Sequence, residues 1–247
     1  MTELELAAIA AAAVIGATAQ SATGFGVALP LAPVLFALAD PPDAVLMVLV
    51  GALGHNLLVL VTRHRHLDAG WGDVAVLVAG GVPGLVIGAL LITSLPKPAL
   101  QFAVGAAIAL ALALRLHAPA PAAERQGVAT GAPVGFLAGL LTTTVGINGP
   151  PMVVWLRARG VGFARLRDTL ALVFLALNAL AIPGVASQGG TVSGGALGAI
   201  GAGLLVGHVA GMQASARLGS GRLESALVAL LVAAACASMA AGASALL

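Results

Sequence analysis

Charge is the scarcest commodity in this 247-residue chain: Lys, Arg, Asp and Glu together make up 8% of it, Tyr is absent, and Trp and Phe number 2 and 6. A soluble domain carries about a quarter charged residues, so a surface facing water is excluded for most of the molecule. The lone Cys236 excludes an internal disulfide. No Gly triplet period accompanies the 33 glycines, which excludes a collagen-like chain. The opening Met1-Thr2-Glu3-Leu4-Glu5 lacks the basic region of a cleavable signal peptide. A pI near 9.5 does not mark a nucleic-acid partner, because the arginines fall in short clusters between apolar runs with few aromatics among them.

What is present is apolar: 60% of the residues, with a mean hydropathy of +1.08. Segments long enough to cross a bilayer as helices run from Leu4 to Ala19, Ala44 to Thr62, Val74 to Thr93, Ala99 to Leu116, Val128 to Leu141, Thr169 to Gly184, Leu197 to Ala214 and Leu223 to Leu246. Two shorter pieces, Val27 to Ala39 and Pro151 to Leu156, each follow a Gly-containing break. The partner of such a chain is the lipid bilayer, and the expected class is an all-α polytopic membrane protein.

The breaks point to an internal repeat. A shift of 122 residues places Ser21 on Thr143, Gly24 on Gly146 and Asn56 on Asn178, and a shift of 123 places Gly80, Gly84 and Gly88 on Gly203, Gly207 and Gly211. The charged loop at Arg63 and Arg65 falls on the uncharged Ala186-Ser187-Gln188, while Arg157, Arg159, Arg165 and Arg167 fall on a stretch without basic residues. Basic loops matched to non-basic ones are what two inverted-topology repeats require. The expected organisation is residues 1–120 and 121–247, each a Gly-broken helical hairpin followed by three transmembrane helices. With both termini periplasmic, all of the 11 basic residues except Lys97 lie on the cytoplasmic side of a bacterial inner membrane.

Catalytic signatures are missing: there is no H-E-x-x-H, G-x-S-x-G, P-loop or dinucleotide fingerprint. All nine carboxylates stand at segment ends or in loops, so neither acid–base chemistry nor a carboxylate cation site is expected in the membrane. Two polar, glycine-containing breaks remain: Gln20-Ser21-Ala22-Thr23-Gly24-Phe25-Gly26, and Thr142-Thr143-Thr144-Val145-Gly146-Ile147-Asn148-Gly149. A helix interrupted in hydrocarbon exposes N–H groups at the positive end of its second piece, and an anion is a natural partner for them. The hydroxyls of Ser21, Thr23, Thr143 and Thr144 and the amide of Asn148 extend that donor set. The competing reading is an ordinary kink, with the hydroxyls bonded back to their own helix. Asn56 and Asn178 either reach the substrate or tie their helix to a neighbour. His55 and His208, the histidines within the expected spans, read either as proton carriers, since imidazole titrates near neutrality, or as packing or interfacial residues, with His55 near a membrane end and neither matched by a histidine in the other copy. The Gly-x3-Gly stripes read as helix-packing faces.

At the breaks, Ser21-Ala22-Thr23-Gly24-Phe25-Gly26 followed by Pro30 and Pro33, and Gly146-Ile147-Asn148-Gly149-Pro150-Pro151, resemble the sulfite exporter TauE/SafE family of membrane permeases. Val27-Ala28 and Asn148 here interrupt the longer glycine run of that family's pattern. The resemblance implies two homologous halves and the movement of sulfite, sulfonates or related anions. The expected substrate-binding set is Ser21, Thr23, Gly24, Phe25, Gly26, Asn56, Thr143, Thr144, Gly146, Ile147, Asn148, Gly149 and Asn178. No cofactor or metal is expected. Proton coupling is the default for a secondary transporter without an evident Na⁺ site, and a homo-oligomer stays open. The alternatives are a passive anion channel and a membrane subunit that transports nothing.

Overall fold

The computed structural model describes residues 1–23, 26–63, 67–116, 127–217 and 220–245. Among them the chain forms ten α-helices and no strand: α1 (Glu3–Thr23), α2 (Ala28–Leu38), α3 (Pro41–Arg63), α4 (Trp71–Ser94), α5 (Lys97–Leu116), α6 (Gly131–Val145), α7 (Gly149–Ala158), α8 (Phe163–Ser187), α9 (Gly194–Arg217) and α10 (Ser220–Ser244). A 3₁₀ turn, Val128–Thr130, leads into α6. One pattern therefore occurs twice: a helix, a break, a short helix and three longer helices.

Six stretches of the described residues are long and apolar enough to cross a membrane, within α1, α3, α4, α8 and α9 and in Val128–Val145. The described apolar parts of α5 and α10, Lys97–Ala113 and Leu231–Ser244, are shorter. The two apolar pieces after the breaks are the helices α2 and α7, of 11 and 10 residues. At about 1.5 Å per residue each reaches only about half of a bilayer core of about 30 Å. Hydropathy alone starts α8 too late, because the helix takes in Arg165, Arg167 and Asp168 before its apolar run. Those charges are tolerated at the end of the bundle, where Asp168 lies 3.5 Å from Arg167 Nε and accepts the Asp68 N–H at 3.0 Å.

The halves are interlocked by glycine. Gly203, Gly207 and Gly211 of α9 lie on Ala10, Val14 and Thr18 of α1, in the same order, so the two helices run parallel. Gly80, Gly84 and Gly88 of α4 lie on Ala132, Phe136 and Leu140 of α6, again in parallel, and Gly135 and Gly139 of α6 reciprocate against Leu77 and Gly81. A Cβ added at Gly203 would sit 2.6 Å from the Ala10 carbonyl oxygen, and one at Gly88 2.6 Å from that of Leu140. No side chain fits there, so the close backbone approach depends on glycine.

The remaining long helices pair antiparallel across the halves. Gly105 of α5 meets Ala235 and Met239 of α10, while Gly242 meets Pro98 and Phe102. At the start of α3, Asp43 accepts the Thr191 N–H at 2.7 Å from just beyond α8. At the start of α8, Asp168 and Thr169 accept the N–H groups of Asp68 and Gly70 from just beyond α3, at 3.0 and 2.9 Å. Side chains such as Phe36, Leu49, Leu77, Ile108 and Met152 fill the interior. Val86, Leu90, Leu205 and Val206, mid-helix on α4 and α9, are exposed. A solvent of lipid requires that outer surface; water would not tolerate a patch of this kind on a monomer.

Gly84→Ala and Gly207→Ala each force a methyl group into a backbone carbonyl of the other half. Each is expected to destabilise the detergent-solubilised protein by about 1–3 kcal/mol, read as a lowered unfolding temperature. Gly54→Ala, where nothing lies within 4 Å, is the matched control and should leave that temperature unchanged.

Candidate functional site

The second break is built by Gly146. It ends α6 in the left-handed region (φ 75°, ψ 6°) and donates its N–H to the Thr142 carbonyl at 3.1 Å. That conformation favours glycine, and an added Cβ would also lie 2.8 Å from Val48 Cγ1 of α3. Asn148 occupies the cap position of α7 without a side-chain capping bond. Pro150 and Pro151 follow, and proline brings no N–H, so the orphan donors of this helix start are fewer than an unbroken reading of four suggests. Among the described residues, the N–H groups of Ile147, Asn148 and Gly149 donate to no acceptor.

The first break is finished differently. Gly24 and Phe25 lie outside the described residues, and of Thr23, which closes α1, the backbone alone is described. Beyond them the Val27 N–H is taken by Gln20 Oε1 at 2.7 Å, and the Leu29 N–H reaches the Gly26 carbonyl at 3.4 Å. The Gln20 amide donates in turn to Asn56 Oδ1 at 2.7 Å. One glutamine thus caps α2 and binds it to α3.

Both breaks converge on Phe174. A Cβ added at Gly26 would lie 3.9 Å from its ring, and one at Gly149 3.4 Å from it. Phe174 is buried at the middle of α8, the central helix of the second half. Between the break residues lies a cavity of about 20 Å³, lined by Gly26, Leu29, Ile147, Asn148, Gly149, Val153 and Phe174 among others. That is room for about one water, so the site is closed. Along α3, the contact with Gly146 is at Val48 and the contacts with Ser21 and Gln20 are at His55 and Asn56. At about 1.5 Å per residue the two breaks are about 11 Å apart along that helix, one on each side of its midpoint.

Of the expected site residues, the structure brings Gly26, Ile147, Asn148 and Gly149 to the cavity. Thr143 donates to the Leu85 carbonyl of α4 at 3.0 Å, and Thr144 to the Leu140 carbonyl of its own helix at 2.8 Å. Asn178 accepts from Asn148 Nδ2 at 3.3 Å, as Asn56 accepts from Gln20. Ser21 faces away from the cavity, toward histidine. Its Oγ is 3.0 Å from His208 Nδ1 and 3.4 Å from His55 Nε2, and the two rings meet edge to face with centroids 5.5 Å apart. His55 lies about two turns before the end of α3 at Arg63, and the residue is fully buried within the bundle.

Sequence reasoning missed Phe174, the capping role of Gln20 and the meeting of the two histidines, though it named Gln20, His55 and His208 themselves. An apolar residue in an apolar helix gives no signal for Phe174. Gln20 carried one, as an amide in hydrocarbon three residues before the Thr23-Gly24 break. The arginines whose side chains are described lie elsewhere. Arg159 pairs with Asp73, its guanidinium stacks 4.7 Å from the Trp155 ring, and Trp155 Nε1 donates to Thr130 at 2.9 Å. Arg165 stands beside the same loop at Gly70. These groups hold the end of the bundle where α8 begins.

Comparison with known proteins identifies the family. The chain is 31% identical over 160 residues to a protein of Cupriavidus necator named as the probable sulfite/organosulfonate exporter TauE, a match covering 63% of this chain and 62% of that relative's length. No solved structure matches the chain. The family model of the sulfite exporter TauE/SafE proteins matches residues 8–238, nearly the whole chain, and the protein belongs to that family.

Proposed function

We propose that the protein is a secondary transporter that moves a small anion, sulfite or an organosulfonate, across the bacterial inner membrane by alternating access. The observation that carries this is the meeting of both helix breaks at Phe174, around a closed cavity beside the unmatched N–H groups of Ile147, Asn148 and Gly149. Sulfite and the sulfonate head group present three acceptor oxygens, which suit converging N–H donors. An organic tail suits the ring of Phe174 and the side chain of Val153. Among the described residues no lysine or arginine lines the cavity, and a site made of backbone dipoles suits binding firm enough to load and weak enough to release. A cavity for one water cannot hold the anion as it stands, so loading requires one break to move relative to Phe174.

The helix directions support two inverted repeats divided near residue 120. Met1 lies beside Asp43 and Gln20 bonds Asn56, so α1 runs with α3. Helix α4 turns back from α3 and runs with α6, the counterpart of α1. Corresponding helices of the two halves therefore run in opposite directions, with both termini on the periplasmic side and the Arg157–Arg167 end cytoplasmic. Proton coupling supplies the driving gradient in this reading.

Purified protein in liposomes is expected to show saturable uptake of labelled sulfite or methanesulfonate that is stimulated by unlabelled anion on the opposite side. Current-carrying, non-saturating flux would replace the carrier with a channel. Gly146→Ala combines left-handed strain of about 1–2 kcal/mol with a clash on Val48, and should cut uptake at least tenfold in protein that still purifies as a monodisperse species; wild-type rates would remove this break from the pathway. Cysteines placed at position 187 and in the loop after Arg63 should label from opposite sides of the membrane, and labelling from one side would end the inverted arrangement.

A further inference from the structure

We infer that Ser21, His55 and His208 form the proton site of the transport cycle and take up one proton together with the anion. This rests on the transport reading above and assigns its coupling ion to named groups. The three residues come from α1, α3 and α9, and so from both halves of the chain, and they meet beside the first break. His55 is fully buried and His208 is 5% exposed, yet His55 Nδ1 and His208 Nε2 have no hydrogen-bond partner. Two enclosed imidazoles each with an unpartnered nitrogen are costly unless something binds there.

The geometry accommodates one added proton. A neutral imidazole has one donor and one acceptor nitrogen. The Ser21 hydroxyl, between the two rings, can donate to one and accept from the other. A hydronium ion gives up one O–H bond as its proton forms one N–H bond on a ring and turns that nitrogen into a donor, and that N–H bond breaks when water on the other side takes the proton away. A second proton would put two cations at a ring separation of 5.5 Å in hydrocarbon, so the pair titrates as a unit.

Among the described residues, no fixed charge faces the pair. On the elements packed against it, the titratable groups are Glu3 and Glu5 on α1, Asp43 on α3, Asp73 on α4, and Arg165, Arg167 and Asp168 on α8. All stand in the opening turns of their helices, as Arg63 and Arg217 stand at the ends of α3 and α9; α2 and α6 carry none. A protonated pair thus has no resident counter-charge, and an anion in the neighbouring break supplies one.

Packing does not require histidine here, because the other half fills the equivalent crossing without it. The repeat shifts carry His55 onto Leu177, His208 onto Leu85 and Ser21 onto Thr143. Leu177 and Leu85 are buried, and Thr143 donates to the Leu85 carbonyl. The fold closes this corner once with two leucines and once with two imidazoles.

Methanesulfonate stays singly charged from about pH 5 to 9, so any pH dependence of its transport over that range belongs to the protein. In liposomes loaded with a pH dye, its influx should acidify the lumen by one proton per anion, and its half-saturating concentration should rise by up to about tenfold per pH unit above the titration of the pair. In His55→Leu/His208→Leu, which copies the other half, the anion movement that remains should carry no protons and show no pH dependence. Proton movement and a pH profile retained in the double variant would overturn the inference, as would proton-free transport in the wild type. If the wild type moves no methanesulfonate, the substrate reading falls separately, and histidine NMR decides the site: one proton shared between two coupled rings upholds it, and independent titrations or none overturn it.

Discussion

Glycine laid against carbonyl oxygen, between helices of opposite halves, is the contact on which the bundle depends. Lipid gives helices no hydrophobic reason to associate, so close van der Waals approach has to hold them. Here that approach is possible only where side chains are missing, along Gly203, Gly207 and Gly211 on α1 and along Gly80, Gly84 and Gly88 on α6. Each broken helix is thereby fixed by the half it does not belong to. The positions of the two breaks are set across the molecule, and α2 and α7 are delivered to opposite sides of one phenylalanine in α8. A change in either glycine face moves a break, with no contact to the cavity itself.

Hydrocarbon imposes the second constraint, that interrupted backbone must find partners inside the protein. The two halves meet it unequally. In the first, Gln20 caps the Val27 N–H and is itself held by Asn56. In the second, the equivalent position is Thr142, which bonds back to Ala138, and Pro150 and Pro151 delete two donors instead of satisfying them. What remains there, among the described residues, are the N–H groups of Ile147, Asn148 and Gly149, which border the cavity without an acceptor. The order of elements is the same in both halves, while the chemistry at the breaks differs.

Much of this plan could be read in one sequence. Long apolar runs foretold the long helices, the Gly-x3-Gly stripes foretold the close faces, and glycine with polar neighbours marked both breaks. Such features are local and repeat along the chain. The partners were not legible, because the stripe at Gly80 does not say that α6 is its target, nor does the pairing of Asn148 with Asn178 follow from spacing. His55 and His208 lie far apart in sequence and become a pair only when α3, α9 and α1 meet. Phe174 is invisible for the opposite reason: nothing distinguishes it from the apolar helix around it. Boundaries erred where charge and burial coincide, as at Arg165–Asp168, since a hydropathy window ends where the ion pairs of the bundle begin.

The carboxylates of Asp43 and Asp168 sit at opposite ends of the molecule, each grasping the backbone of a loop from the other half, Thr191 at one end and Asp68 at the other. A shift of 123 places Asp68 on Thr191, while the carboxylates that hold them are 125 residues apart, so the two clasps are alike in kind but not in register. In the alternating-access reading proposed above, opening either mouth of the bundle would release one clasp and leave the other as a hinge. Each latch is a carboxylate accepting a backbone N–H, so neither opened form would be favoured by the kind of bond it loses, and a small bias from cargo or membrane potential would choose between them. Two latches of one kind, at opposite ends, would then act as a balance.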